Sequence, residues 1–94
     1  MSSRITEKDL EEMAEHINRL TGSPLEQYTQ AADGTYKANV GNYHISYAYG
    51  GAGFHRMVNT GGGVTTIIGR YTPKRELYEK MRALITGIGI SRGV

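Results

Sequence analysis

The chain is 94 residues long, 38% hydrophobic and 21% charged, with a net charge of +2 and no cysteine. That length encloses one modest core between two layers of structure, the composition is that of a globular protein, and no apolar run reaches the length of a membrane span. The missing cysteines exclude disulfide stapling, thiol catalysis and thiolate metal sites, and with no charged-then-apolar leader over Met1 to Leu10 the expected setting is cytoplasmic.

Charge is unevenly spread. Residues 1–33 carry Glu7, Asp9, Glu11, Glu12, Glu15, Glu26 and Asp33 against Arg4, Lys8 and Arg19, a balance of −4. Residues 34–94 carry Lys37, Arg56, Arg70, Lys74, Arg75, Lys80, Arg82 and Arg92 against Glu76 and Glu79, a balance of +6. The two parts either complement each other within the fold or leave the basic one to an anionic partner.

Thr6 and the acids after it predict a helix over 6–21. Thr6 caps it, Ile5 staples against Leu10, and Leu10, Met13, Ile17 and Leu20 recur at helical spacing. Thr21-Gly22-Ser23-Pro24 ends it, and Pro24 to Gly34 reads as a loop with turn chemistry at Asp33-Gly34, tacked to the core by Leu25 and Tyr28. Antiparallel strands are expected near 35–40, 43–49, 54–59 and 64–71. With Gly41-Asn42 as a two-residue turn and Gly50 to Gly53 as a four-residue turn, Val40 faces Tyr43, Ala38 faces Ile45, Tyr47 faces Tyr36 and Arg56, Tyr49 faces Phe54, and Ile45 faces Val58. This register buries Tyr36, Ala38, Val40, Tyr43, Ile45, Tyr47, Tyr49, Phe54 and Val58. It leaves Lys37, Asn39, His44, Ser46, Ala48, His55, Met57 and Asn59 on the solvated face. Thr60 to Gly63 turns into the last strand, with Ile67 towards the core and Arg70 opposite. A second helix over 73–87 is capped by Thr72, opened by Pro73 and lined by Leu77, Met81, Leu84, Ile85 and Ile88. Gly87 and Gly89 end it, leaving Ile90 to Val94 as a loosely held tail. The fold class is α+β: two helices packed on one face of a three- to four-stranded antiparallel meander, in the order α-β-β-β-β-α.

Between Gly41 and Gly69 the chain holds eight glycines, Tyr43, Tyr47, Tyr49, Phe54, His44, His55 and a single charge, Arg56. In the expected register His44 pairs with Asn59 and His55 with Ala48, which sets the imidazoles roughly 13 Å apart at about 3.3 Å per residue. With no acid in either strand, neither a metal site nor an acid–histidine relay is expected, and the protein reads as a non-enzyme without a cofactor. The glycine clusters around Gly51 and Gly62 join strand to strand and lack the lysine-serine or lysine-threonine of a phosphate loop, so they read first as turns and second as binding loops. Lys74 and Arg75 stand in the first turn of the second helix, where the macrodipole is already positive; a bound anion offsets that repulsion, as does pairing with Glu7 or Asp9. Arg70 extends such a site. Arg56, opposite Tyr47, lies over that ring as a cation–π pair or marks a ligand cavity walled by Tyr47 and Tyr49.

The segments Gly41-Asn42-Tyr43-His44, Tyr49-Gly50-Gly51, His55-Arg56-Met57, Gly61-Gly62-Gly63-Val64 and Pro73-Lys74-Arg75-Glu76-Leu77-Tyr78 resemble those of short uncharacterised accessory proteins of phages and prophages, as does Asn18 to Pro24. The resemblance implies a stoichiometric binder: an inhibitor of a host or defence protein, a sponge for signalling nucleotides, or a nucleic-acid binder. The leading expectation is capture of an anionic small molecule or host protein through Arg56, Arg70, Lys74, Arg75, Tyr47, Tyr49, His44, His55, Gly51 and Gly62. The alternative is duplex RNA or DNA binding through the basic start of the second helix, since the element order is also similar to that of a double-stranded-RNA-binding domain. A partly open strand edge makes a homodimer or higher homo-oligomer a further expectation.

Overall fold

The computed structural model describes residues 4–91. Its first helix, α1, spans Glu7–Thr21 and opens on a capping box. The Thr6 hydroxyl accepts from the Asp9 N–H at 3.1 Å, and the Asp9 carboxylate accepts from the Thr6 N–H at 2.9 Å, which holds Asp9 below the usual carboxylate range. Gly22, at φ 71°, closes the helix in the left-handed conformation. Leu10, Ala14 and Ile17 are buried, with Ile5 and Met13 packed beside them, so the expected stripe holds except that Ala14 enters the core and Leu20 stays at its margin.

Five strands follow rather than three or four: β1 (Tyr28–Gln30), β2 (Tyr36–Ala38), β3 (Tyr43–Ala48), β4 (Gly51–Met57) and β5 (Val64–Thr72). They form two sheets, β1-β2 and β3-β4-β5, both antiparallel. The expected partner of the Tyr36 strand is therefore corrected, because β2 pairs with β1, Tyr36 opposite Gln30. Part of the segment read as a loop is a strand, and Asp33-Gly34 is its hairpin turn, with the Asp33 carboxylate accepting from the Thr35 N–H and hydroxyl. Gly41-Asn42 is no hairpin. The Gly41 N–H donates to the Met57 carbonyl and the Met57 N–H to the Asn42 carbonyl, so this stretch runs beside the end of β4. Tyr36, Val40, Tyr47, Tyr49 and Val58, all expected inside, are exposed, and Met57, expected in solvent, is 1% exposed.

The second turn also differs. Ala48 pairs with Gly51, leaving Tyr49 and Gly50 as a two-residue turn with φ of 54° and 74°, the positive values of a type I′ hairpin. Every pairing between β3 and β4 moves by four residues: Tyr43 faces Arg56, His44 faces His55, Ile45 faces Phe54 and Tyr47 faces Ala52. Four is even, so the inner residues keep their faces. Tyr43, Ile45, Ala52 and Phe54 join Leu10, Ala14, Ile17, Leu77 and Met81 in the core, which sits between one face of the sheet and both helices.

The ladder between β4 and β5 is broken twice. Phe54 faces Ile68 but His55 faces Thr66, so Ile67 is an extra residue; Gly69, Arg70 and Tyr71 then stand opposite Gly53 alone before Thr72 faces Ala52. The first bulge passes the inward position from Ile67, which is exposed, to Ile68, which packs on the core. The second ejects Arg70, at φ 54°, from the helix-facing row. The last helix, α2, spans Lys74–Ser91. It begins one residue later than expected: the Leu77 N–H donates to the Pro73 carbonyl, and Thr72 stays in β5 with its hydroxyl unpartnered. It also continues through Gly87 and Gly89, because Leu84, Ile85 and Ile88 packing on the core outweighs the glycine cost of about 1 kcal/mol each. Of the expected tail, Ile90 and Ser91 belong to this helix, and residues 92–94 lie outside the described residues.

Candidate functional site

The helices cover one face of β3-β4-β5, and the opposite face gathers a cluster of aromatic and polar side chains. Register places His44, Ser46 and Ala48 of β3 beside Gly51, Gly53 and His55 of β4 on that side. The imidazoles of His44 and His55 are direct cross-strand neighbours with ring centroids 5.9 Å apart, edge to face, which overturns the expected wide separation. Tyr71 reaches in from β5: its ring centroid is 6.1 Å from His55, and its hydroxyl is 3.1 Å from Ser46 Oγ. Gly53 makes room for this, since a Cβ there would touch the Tyr71 ring at 3.4 Å. Tyr49 completes the row from the turn, its ring 5.6 Å from Tyr71.

Burial holds both imidazoles below the ordinary value of 6.5, and the neighbouring His55 lowers His44 further against a small opposing pull from the Asn42 carbonyl. Neutral rings are thus favoured near pH 7. Among the described residues no three His, Cys, Asp or Glu side chains come together as a metal site. The two imidazoles meet edge to face, and His55 also lies against the Tyr71 ring, so the pair forms part of an aromatic surface.

The cations expected to act together are divided. Arg56 is exposed near the far end of β4, its guanidinium 5.3 Å above the Tyr43 ring and its Nε donating to the Gly41 carbonyl at 3.4 Å. The cation–π contact is real, and its partner is corrected from Tyr47 to Tyr43 by the four-residue register difference. Arg70, Lys74 and Arg75 lie at the opposite end, where Thr72 faces Ala52. Arg70 is exposed, Lys74 is half-buried, and Arg75 is exposed with a contact of its own. Asp9 is engaged in the α1 cap. Tyr47 leaves the candidate wall altogether: its hydroxyl donates to Glu11 Oε2 at 3.1 Å, and burial followed by that carboxylate pushes its pKa upward. Gly51 packs tightly, a Cβ there falling 2.8 Å from the Thr72 carbonyl oxygen, and Gly62, at φ 98°, turns the β4–β5 loop beside the Tyr28 hydroxyl.

Comparison with protein-family models, curated proteins and solved structures finds no match. No helix among the described residues is long and apolar enough to cross a membrane.

Three residues carry more than their sequence context indicated. Asn18 is 2% exposed and brackets Tyr43, its Nδ2 donating to the Tyr43 carbonyl at 2.9 Å and its Oδ1 accepting from the Tyr43 N–H at 2.8 Å. Asn42 is equally buried and donates to the Pro24 carbonyl at 2.9 Å. A polar residue one position past Ile17 on the buried side of α1 is the only sequence signal for Asn18, and none marked Asn42. Tyr71, read as a strand end, becomes the centre of the half-buried cluster on the face away from the helices. Beside these, a cavity of about 280 Å³ opens between α1, the segment Leu25 to Gln27 and the outer edge of β3.

Proposed function

We propose that this is a non-enzymatic binding protein that captures a planar, anionic ligand of the nucleotide class on the uncovered face of β3-β4-β5. Tyr49 carries the reading. It is 95% exposed, it holds a left-handed backbone that a bulky side chain resists, and its ring stands beside Tyr71. An exposed aromatic ring beside a half-buried one on a sheet, with two imidazoles next to them, suits the stacking of bases. Arg70 precedes Tyr71 and Lys74 follows within three residues, which supplies positive charge for phosphate at one end of the sheet. The resemblance to phage accessory proteins directs attention to signalling nucleotides, with sequestration as the biological effect.

The test is a panel of mononucleotides, cyclic oligonucleotides and short single strands, read by thermal shift and by tyrosine fluorescence. A ligand in this class raises the melting temperature, and Tyr49→Ala weakens its binding by the worth of a stacked base, about 1–3 kcal/mol. Affinity falls as salt rises. A panel without stabilisation at high ligand concentration, or full affinity in Tyr49→Ala, defeats the reading. Duplex binding that ignores Tyr49 but disappears in Lys74→Glu moves the site to the start of α2.

A further inference from the structure

We infer that the ligand captured on the uncovered face of β3-β4-β5 carries at least two linked bases, an oligonucleotide rather than a mononucleotide. This size requirement rests on the nucleotide reading given above. The rings of the face form an unbroken chain: Tyr49 lies 5.6 Å from Tyr71, Tyr71 lies 6.1 Å from His55, and His55 lies 5.9 Å from His44, centroid to centroid. It starts at the turn after β3 and then crosses the sheet strand by strand, from β5 through β4 back to β3. Stacked rings sit about 4.5–7 Å apart, so a single base laid against Tyr49 reaches Tyr71 and leaves both histidines uncovered.

A polar patch lies between the two ends of the chain. Gly53 faces Ser46 across the strands, and a Cβ on Gly53 would meet two carbons of the Tyr71 ring at 3.4 Å and His55 Nε2 at 3.5 Å. Tyr71 therefore leans over the backbone at Gly53, and its hydroxyl ends 3.1 Å from Ser46 Oγ. Ser46 Oγ, Tyr71 Oη and His55 Nε2 are thus brought together beside one glycine. Two hydroxyls that share a single hydrogen bond leave one O–H still to donate, and a neutral imidazole offers one donor and one acceptor.

The exposed Tyr49 ring is placed for stacking, and the patch beyond it is placed for reading a base edge. One base cannot do both across the length of the chain. Two linked bases can, the first on Tyr49 and the second over Ser46, Tyr71 and His55, with Arg70 and Lys74 beside the phosphate of the first. Linked bases come from two sources, a small signalling oligonucleotide or a single strand of nucleic acid.

The test titrates the full chain, at one salt concentration, with an adenine nucleoside monophosphate, the diphosphate, and the linear dinucleotide, trinucleotide and decanucleotide, followed by tyrosine fluorescence and by the NMR signals of the imidazoles. The dinucleotide is expected to bind about fivefold or more tighter than the monophosphate, the lower worth of one further stacked base, and to shift the His44 and His55 signals. The diphosphate, which adds charge without a second base, does not reproduce the gain. His55→Ala narrows the gap between dinucleotide and monophosphate, and Tyr71→Phe, which keeps the ring and removes the hydroxyl, narrows it in part, whereas Tyr49→Ala weakens both ligands. A decanucleotide no tighter than the trinucleotide, position for position, assigns the site to a small oligonucleotide, and affinity that keeps rising with length assigns it to a strand. Equal affinities for monophosphate and dinucleotide, a gain matched by the diphosphate, or a gap that neither variant narrows overturns the proposal and leaves the nucleotide reading in place. A chain that binds none of the five overturns both.

Discussion

Tyr49 and Asn18 show single residues acting against and for the stability of the fold. The first central position of a type I′ turn favours asparagine, aspartate or glycine, and a tyrosine there holds strain of about 1 kcal/mol without burying its ring. Replacing it by asparagine is expected to raise the melting temperature while weakening the nucleotide binding proposed above; calorimetry and a binding titration on the same variant report both. Asn18 works the other way. Its amide closes two backbone groups of Tyr43, so Asn18→Ala leaves both unpaired and is expected to cost about 2–3 kcal/mol in urea unfolding. A loss below about 0.5 kcal/mol would show that water replaces the amide. The Arg56 cation–π contact was legible as a type of interaction but not as a pair, because its ring was chosen from a turn that the chain does not make.

At the scale of elements, the sequence was most readable where local rules act alone. The capping box, the left-handed Gly22 and the apolar stripes of both helices stand as their residues require. The hairpins were less readable, since Tyr49-Gly50 and Gly50 to Gly53 are both acceptable turns and both put Phe54 on the core face. Tyr43, Ile45 and Phe54 keep their core face despite that error because the two registers differ by an even number; Ile67 does not, because a bulge changes parity. The pairing of β3 with β4 has a pH signature. His44 and His55 are depressed below 6.5 in the folded state, so the unfolded chain binds protons more readily. The stability they sustain is complete above pH 6.5 and is lost as the pH falls below it towards the folded-state values. Their other neighbours, the Tyr71 ring against His55 and the Asn42 carbonyl at His44, are uncharged and do not reverse the sign. Melting temperatures measured between about pH 8 and pH 5 are expected to decline in the wild type and to decline less in His55→Gln. An increase on acidification would contradict the assignment.

For the whole molecule, the two sheets differ in how they are held. The β3-β4-β5 sheet shares the core with both helices, whereas β1 and β2 are short, largely exposed and paired only with each other as strands. A two-stranded sheet is marginal by itself, so the amides of Thr29 to Lys37 are expected to exchange with solvent at least about tenfold faster than those of Phe54 and Ile45. Equal protection across the two sheets would show one cooperative unit. Charge follows a similar division, with an acidic α1 on the cleft side and the basic residues concentrated from β4 onward. The broken ladder along β5 has a consequence for populations of molecules as well as for the single one. This strand is nine residues long, lies at the sheet margin and carries Arg70 as its only charge, a combination that would otherwise template the addition of another chain. Two irregularities along it spoil the flat row of donors and acceptors that such growth requires, so that deleting Ile67, which restores regular alternation beside Phe54, is expected to make concentrated solutions scatter light where the parent stays clear.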